Sequence, residues 1–104
     1  MATKVIAGVN VDVNEEGYLN DHSQWNKEIA AAIAREEGIA ELTPAHWKVI
    51  EFLQADYKEK GALPTIRRIN VACVPTKDFY TLFPGGPLKK SAKIAGLPKP
   101  ASCV

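Results

Sequence analysis

A chain of 104 residues with a formal net charge of +1 is long enough for one globular domain and too short for two. Hydrophobic residues make up 46% and charged residues 24% of the sequence, which excludes a disordered or fibrous protein. Because no apolar stretch suits a membrane span or a secretion signal, we expect a cytoplasmic protein without membrane contact. We expect residues 1–104 to form a single domain.

The charge is unevenly distributed along this domain. Residues 1–59 carry 11 acidic and 5 basic side chains, whereas residues 60–104 carry 1 acidic and 8 basic side chains. A basic half of this kind can receive an acidic protein surface, a nucleic-acid backbone or an anionic sulfur species. The alternative is that the two halves simply neutralise each other across a small fold.

The first 20 residues predict a β-hairpin region. Four valines alternate along two short segments on either side of a turn at Ala7-Gly8, namely Val5, Val9, Val11 and Val13. A second turn is predicted at residues 14–17, before Tyr18 and Leu19.

Residues 21–95 predict a bundle of five helices. The first spans about residues 23–37, with Trp25 and Ile29 on its apolar stripe and Gly38 as its stop. The second is capped by Thr43, has a proline at its first position and ends at Gly61. Three shorter helices are predicted at about 65–72, 76–83 and 87–95. The predicted fold class is mainly α, a small helical bundle with an N-terminal β-hairpin.

The last residues, 96–104, predict a C-terminal arm that presents a thiol. Pro98 and Pro100 disfavour a helix and keep this segment extended, and Cys103 is the penultimate residue. A thiolate is the nucleophile that takes up and passes on sulfur. The neighbouring C-terminal carboxylate disfavours the thiolate. Lysines of the basic half favour it, namely Lys89, Lys90, Lys93 and Lys99.

The segments around this arm form a motif, and no folding requirement predicts its C-terminal run followed by a penultimate cysteine. It comprises Leu82-Phe83-Pro84, Gly86-Pro87, the run KIAGLPKP at 93–100, and Cys103-Val104. Earlier segments accompany it: Glu16-Gly17-Tyr18-Leu19 with Trp25, Leu42-Thr43-Pro44, His46-Trp47 and the stretch 64–67. With these segments the chain resembles the DsrC/TusE family over nearly its whole length.

The resemblance implies an orthogonal helical bundle with a flexible arm, whose penultimate cysteine accepts sulfur as a persulfide and donates it to another protein. Cys103 matches that cysteine. Family members that serve dissimilatory sulfite reductase carry a second arm cysteine that ten residues separate from the penultimate one, at the position where this chain has Ala92. The resemblance therefore favours a one-cysteine relay member, of the kind that supplies tRNA 2-thiouridine synthesis or related sulfur trafficking, over a full sulfite-reductase subunit.

The same resemblance predicts the partners and the contact residues of the arm. We expect sulfurtransferase donors and acceptors as partners, with sulfite reductase as an alternative, and a carrier that acts with partner enzymes rather than as a stand-alone catalyst. The arm residues expected to contact partners are Lys93, Gly96, Leu97, Pro98, Lys99 and Pro100. Arg67 and Arg68 are candidates for a groove that receives the arm. No cofactor is expected, and no metal, because the histidines and cysteines lack ligand spacing.

The pattern of residues 65–83 is also typical of a helix-turn-helix motif, so a DNA-binding regulator is the alternative function. The recognition helix of such a motif would offer Lys77 and Asp78 but no arginine, asparagine or glutamine for base edges. Direct nucleic-acid binding is therefore disfavoured.

The other cysteine, the histidines and the aromatic residues favour structural roles. Cys73 lies among apolar neighbours and is expected in the core; the alternative is that it replaces the missing arm thiol and bonds to Cys103. His46 is expected in the first turn of its helix, and His22 in a loop. Core positions rather than a binding cage are expected for Trp25, Trp47 and Phe52.

Overall fold

The computed structural model describes residues 2–99 of the chain. The predicted positions of Pro100 and Cys103 in the arm lie outside these residues. The chain begins with an antiparallel hairpin of β1 (Ala2–Ile6) and β2 (Val9–Val13). Ala7 and Gly8 join the strands with φ angles of 54° and 78°. Positive φ at both positions is what a two-residue type I′ turn requires, so the predicted hairpin is confirmed.

The four valines do not all lie on one face of the hairpin. Those of β2 share a face, but Val5 of β1 does not. In the register of the hairpin, Ile6 pairs with Val9 and Val5 pairs with Asn10. Ile6 therefore faces the core together with Val11, and it is buried. Val5 lies on the opposite face and is 66% exposed. The two-residue turn sets this register, and a pairing with period two places neighbouring residues on opposite faces.

Five α-helices follow the hairpin, as the sequence predicts. They are α1 (Lys27–Glu36), α2 (Pro44–Lys60), α3 (Ile66–Ala72), α4 (Thr76–Leu82) and α5 (Pro87–Ile94). The mainly α fold class is confirmed. Between residues 2 and 99, no helix is long and apolar enough to cross a membrane.

The first helix starts later than the apolar pattern predicts. A short 3-10 turn covers His22–Gln24, and the Asn26 side chain then accepts a hydrogen bond from the Ile29 amide at 2.9 Å. Asparagine is a strong N-cap because its side chain satisfies one of the free amides of the first turn. Trp25 therefore lies before α1 and outside its apolar stripe, which corrects the predicted start near residue 23.

The second helix has the predicted caps and an added link through His46. The Thr43 side chain caps α2, and Gly61 ends it with a φ of 71°. His46 Nδ1 accepts from the Thr43 amide at 3.0 Å, so Nε2 carries the proton and donates to the Leu82 carbonyl at 2.8 Å. The His46 ring is buried and meets Phe83 edge-on, with centroids 5.2 Å apart. His46 thus joins the start of α2 to the end of α4.

The core is built around α5, which packs against α1, α2 and α4. Leu88, Ala92 and Ile94 of this helix are buried, as are Phe79 and Phe83. Three aromatic side chains predicted in the core, Trp25, Trp47 and Phe52, are half-buried and pack against its edge. The C-terminal end of α5, from which the arm continues, is therefore held by most of the bundle.

Candidate functional site at the base of the arm

The residues that follow α5 begin inside the bundle. Gly96 has a φ of 74°, and its amide donates to the Lys93 carbonyl at 3.2 Å. The Leu97 amide donates to the Ala92 carbonyl at 2.9 Å. These two hydrogen bonds form a Schellman motif, which closes the helix at a left-handed glycine. Leu97 is buried and Pro98 is exposed, so the chain reaches the surface two residues after the predicted start of the arm.

Side chains from distant segments hold the carbonyl groups at the end of α5. Trp25 Nε1 donates to the Ile94 carbonyl at 2.7 Å, and Gln54 Nε2 donates to the Ala95 carbonyl at 2.9 Å. The last carbonyls of a helix have no partner within it. Donors from the segment before α1 and from α2 therefore satisfy them, and these donors fix the direction in which the arm leaves.

Trp25 also forms a wall against Gly96. The Trp25 Cδ1 and Cγ atoms lie 2.6 Å and 2.8 Å from the position that a Cβ atom on Gly96 would occupy. The His22 ring stacks on Trp25 with centroids 5.9 Å apart, and its Nδ1 lies 3.1 Å from the Gly96 carbonyl. Since a carbonyl only accepts, His22 Nδ1 must carry a proton. Only glycine fits this position.

Sequence reasoning missed this clamp of His22, Trp25 and Gln54. Trp25 was expected on a helical stripe and His22 in a loop without a role. The available signal was that Trp25 and the Gly96-Leu97-Pro98 run both belong to the segments shared with the DsrC/TusE family.

An open groove lies beside the clamp, where the chain emerges. Its volume is about 750 Å³. Apolar side chains of Leu19, Ala55, Tyr57 and Leu97 contribute to its lining, and Glu51 and Lys58 lie among its polar residues. The arm therefore leaves the bundle at the edge of a partly apolar concave surface.

Two predicted contact residues, Lys93 and Lys99, lie in a second, smaller pocket next to the arm. Lys99 Nζ is 2.9 Å from Glu16 Oε1, and this hydrogen bond, together with the surrounding lysine charges, lowers the pKa of Glu16. Lys93 Nζ is 3.7 Å from Glu37 Oε2. The structure therefore places Lys93 and Lys99 in one pocket, and His22, Trp25 and Gln54 on the carbonyl groups of residues 94–96 that lie between these two lysines in the chain.

Arg67 and Arg68 lie elsewhere. The Arg68 guanidinium donates to Asp56 Oδ1 at 3.0 Å from Nε and at 2.7 Å from a terminal nitrogen. This pairing holds the pKa of the buried Asp56 carboxyl below its usual range, against the opposing effect of burial. Arg67 lines a separate depression of about 330 Å³ together with Val71. Neither arginine lines the groove or the pocket next to residues 96–99.

Cys73 is the one cysteine among residues 2–99, and its pairing with Cys103 stays a prediction because Cys103 lies outside these residues. Cys73 is half-buried, its Sγ lies 3.8 Å from the Lys48 carbonyl, and burial raises the pKa of its thiol. A thiol with a raised pKa is a poor nucleophile at neutral pH. Ala92 is fully buried in α5. Residues 2–99 also contain no group of three histidine, cysteine or acidic side chains that could hold a metal ion.

Comparison with known proteins identifies the family. The sequence profile described as "DsrC like protein" matches residues 5–104, which include Cys103. The chain belongs to the DsrC-like family. It is 40% identical to the sulfurtransferase TusE of Escherichia coli O6:H1, over 96% of this chain and 98% of that one. It is 42% identical to the sulfurtransferase TusE homolog of Haemophilus influenzae, over 95% and 97%.

The fold of nearly the whole chain is similar to that of a solved DsrC structure. The oxidised gamma subunit of dissimilatory sulfite reductase (DsrC) from Archaeoglobus fulgidus superposes with a TM-score of 0.80 at 33% identity, covering 99% of this chain and all of that one. With the sulfurtransferase relatives, this confirms the expected sulfur-relay carrier role. The names of these relatives also favour that role over a DNA-binding regulator.

Proposed function

We propose that Cys103 is the residue on which this protein carries sulfur. The observation that carries the proposal is the match to the family profile through residue 104, which includes the penultimate cysteine, together with relatives named sulfurtransferases. The Cys103 thiolate attacks the outer sulfur of a donor persulfide, forms a new S–S bond and releases the donor thiolate. The next acceptor thiolate attacks the outer sulfur of the Cys103 persulfide in the same way, which restores the Cys103 thiolate.

The clamp at the base of the arm supports this function mechanically. Because the Ile94 and Ala95 carbonyls and the Gly96 backbone are held by three side chains, the arm starts from a fixed point and direction. Cys103 is four positions after Lys99, which gives a reach of about 13 Å in an extended chain. A thiol on such a tether can enter the active site of a partner while the bundle stays outside.

The partners that suit this chemistry are a sulfurtransferase that donates a persulfide and a second protein that accepts it. We propose that the acceptor belongs to a tRNA 2-thiouridine or similar sulfur-trafficking route, in the cytoplasm. The A. fulgidus relative named a sulfite-reductase subunit makes that enzyme the alternative partner. Ala92 argues against the alternative, since the buried methyl group offers no second sulfur for a reaction within the arm.

Mass spectrometry of the intact protein tests the role of Cys103. After incubation with glutathione persulfide and removal of the reagent, the wild type and Cys73→Ala should each gain roughly 32 Da, the mass of one sulfur atom. Cys103→Ala should gain nothing. Sulfur on Cys73, or an unchanged gain in Cys103→Ala, would contradict the proposal. Cys73→Ala is the matched control because it removes the other thiol of the chain.

A further inference from the structure

Four lysines converge on the small pocket next to the arm. The pocket has a volume of about 220 Å³, and it is lined by Lys89, Lys90, Lys93, Lys99, Glu16, Glu37, Tyr18, Gly85 and Gly86. These residues come from four places in the chain: the turn after β2, the end of α1, the turn before α5 with α5 itself, and the start of the arm. The sequence shows three of the lysines as neighbours on α5, but only the fold adds Lys99.

The positions of two of these lysines are fixed by their surroundings. Lys93 passes so close to Gly17 that a Cβ atom there would lie 3.0 Å from Lys93 Cε, and its ammonium lies 5.9 Å from the centre of the Tyr18 ring. Lys90 Nζ donates to the Glu37 backbone carbonyl at 3.0 Å. Packing therefore holds the Lys93 ammonium group at the pocket, and a hydrogen bond holds that of Lys90.

The charges that residues 2–99 contribute to the pocket do not cancel. Four ammonium groups of these residues meet two carboxylates, those of Glu16 and Glu37, which leaves a net charge of +2 from the described part of the chain. Burial and the two neighbouring carboxylates raise the pKa of Tyr18, so its phenol stays neutral. The Lys89 ammonium has no hydrogen bond or ion pair to any residue between 2 and 99. At least one cation is thus available to an incoming ligand.

We propose that this lysine pocket binds a small tetrahedral oxyanion with two negative charges, of the sulfate, thiosulfate and phosphate class. A dianion matches the net charge, and ammonium groups form their strongest hydrogen bonds with charged oxygen acceptors. The volume of about 220 Å³ holds such an ion with a few waters, each of which occupies about 30 Å³. Binding of the anion requires no sulfur transfer by Cys103, so its occupation of the pocket can be measured without any such reaction.

Nuclear magnetic resonance titration of the ¹⁵N-labelled full chain tests the site. Sodium thiosulfate, sodium sulfate and sodium phosphate are added separately, with sodium chloride adjusted to hold the ionic strength constant. We expect saturable shifts at the amides of Gly17, Tyr18 and Lys89, with a dissociation constant of about 1–10 mM for at least one dianion. Comparing the three salts identifies which member of the class binds best. Acetate, a single-charged anion, should bind at least about tenfold more weakly.

Two variants separate a built site from general attraction to lysines. Lys89→Gln removes the available cation and should weaken binding at least about fivefold, whereas Lys58→Gln, at an exposed lysine of the large groove, should leave it unchanged. The spectrum of Lys89→Gln without salt shows whether it is folded. Should it prove misfolded, Lys99→Gln provides the same measurement from the exposed side of the pocket. Shifts that rise linearly at all lysines, or an equal affinity in the lysine-pocket variant and the wild type, would overturn the proposal.

Discussion

Gly96→Ala should destabilise the protein more than the loss of a left-handed glycine explains. Gly96 has a φ of 74°, and the left-handed conformation costs an alanine about 1 kcal/mol. The new methyl group would also lie 2.6 Å from Trp25 Cδ1. Overpacking against a rigid indole adds about 1–3 kcal/mol. We expect a total loss of about 2–4 kcal/mol in the free energy of unfolding, measured by urea denaturation followed by circular dichroism.

Gly61→Ala is the matched control for this measurement. Gly61 has a φ of 71°, but no atom lies within 4 Å of the position of its Cβ. Its substitution should therefore cost only the conformational part, about 1 kcal/mol. In a Trp25→Ala background the wall is absent, so the cost of Gly96→Ala should fall to that of the control. Equal losses for the two glycine variants in the wild-type background would refute the clamp as an explanation for Gly96.

Two further predictions concern the charged pair and the second thiol. The pKa of Asp56 is lowered in the folded state, chiefly by its hydrogen bond with Arg68. The pair therefore stabilises the fold fully above the unfolded pKa of Asp56, about 3.9. This stabilisation is lost as the pH falls through the lower pKa of the folded state. Arg68→Gln should therefore lower the urea midpoint more at pH 7 than at pH 2; an equal effect at both values would contradict this account. In Cys103→Ala, burial and the raised pKa of Cys73 should make its alkylation by iodoacetamide at pH 8.5 at least about tenfold slower than that of free cysteine, until urea unfolds the chain. Rapid alkylation of the folded variant would show that Cys73 is a reactive thiol.

Elements with strong local signals were predictable from the sequence. Thr43, Pro44 and Gly61 set the bounds of α2, because a cap, a proline and a left-handed glycine act through the backbone of their own segment. The start of α1 was predicted too early because two local signals conflict there. The apolar spacing of Trp25 favours a helix that includes it, but Asn26, the next residue, is the N-cap of α1. Where two local signals compete, only the folded chain shows which of them prevails.

The sequence by itself determined the helical bundle, the hairpin, the penultimate cysteine and membership of the DsrC-like family, since these follow from local pattern and from shared segments. Tertiary structure alone decided that the Trp25 indole meets a carbonyl 69 residues away, that neither Arg67 nor Arg68 lines the pockets next to residues 96–99, and that Lys99 joins the lysines of α5 around Glu16 and Glu37. Contacts between distant residues depend on the angles at which helices pack. Those angles arise from the whole core, and no single segment encodes them.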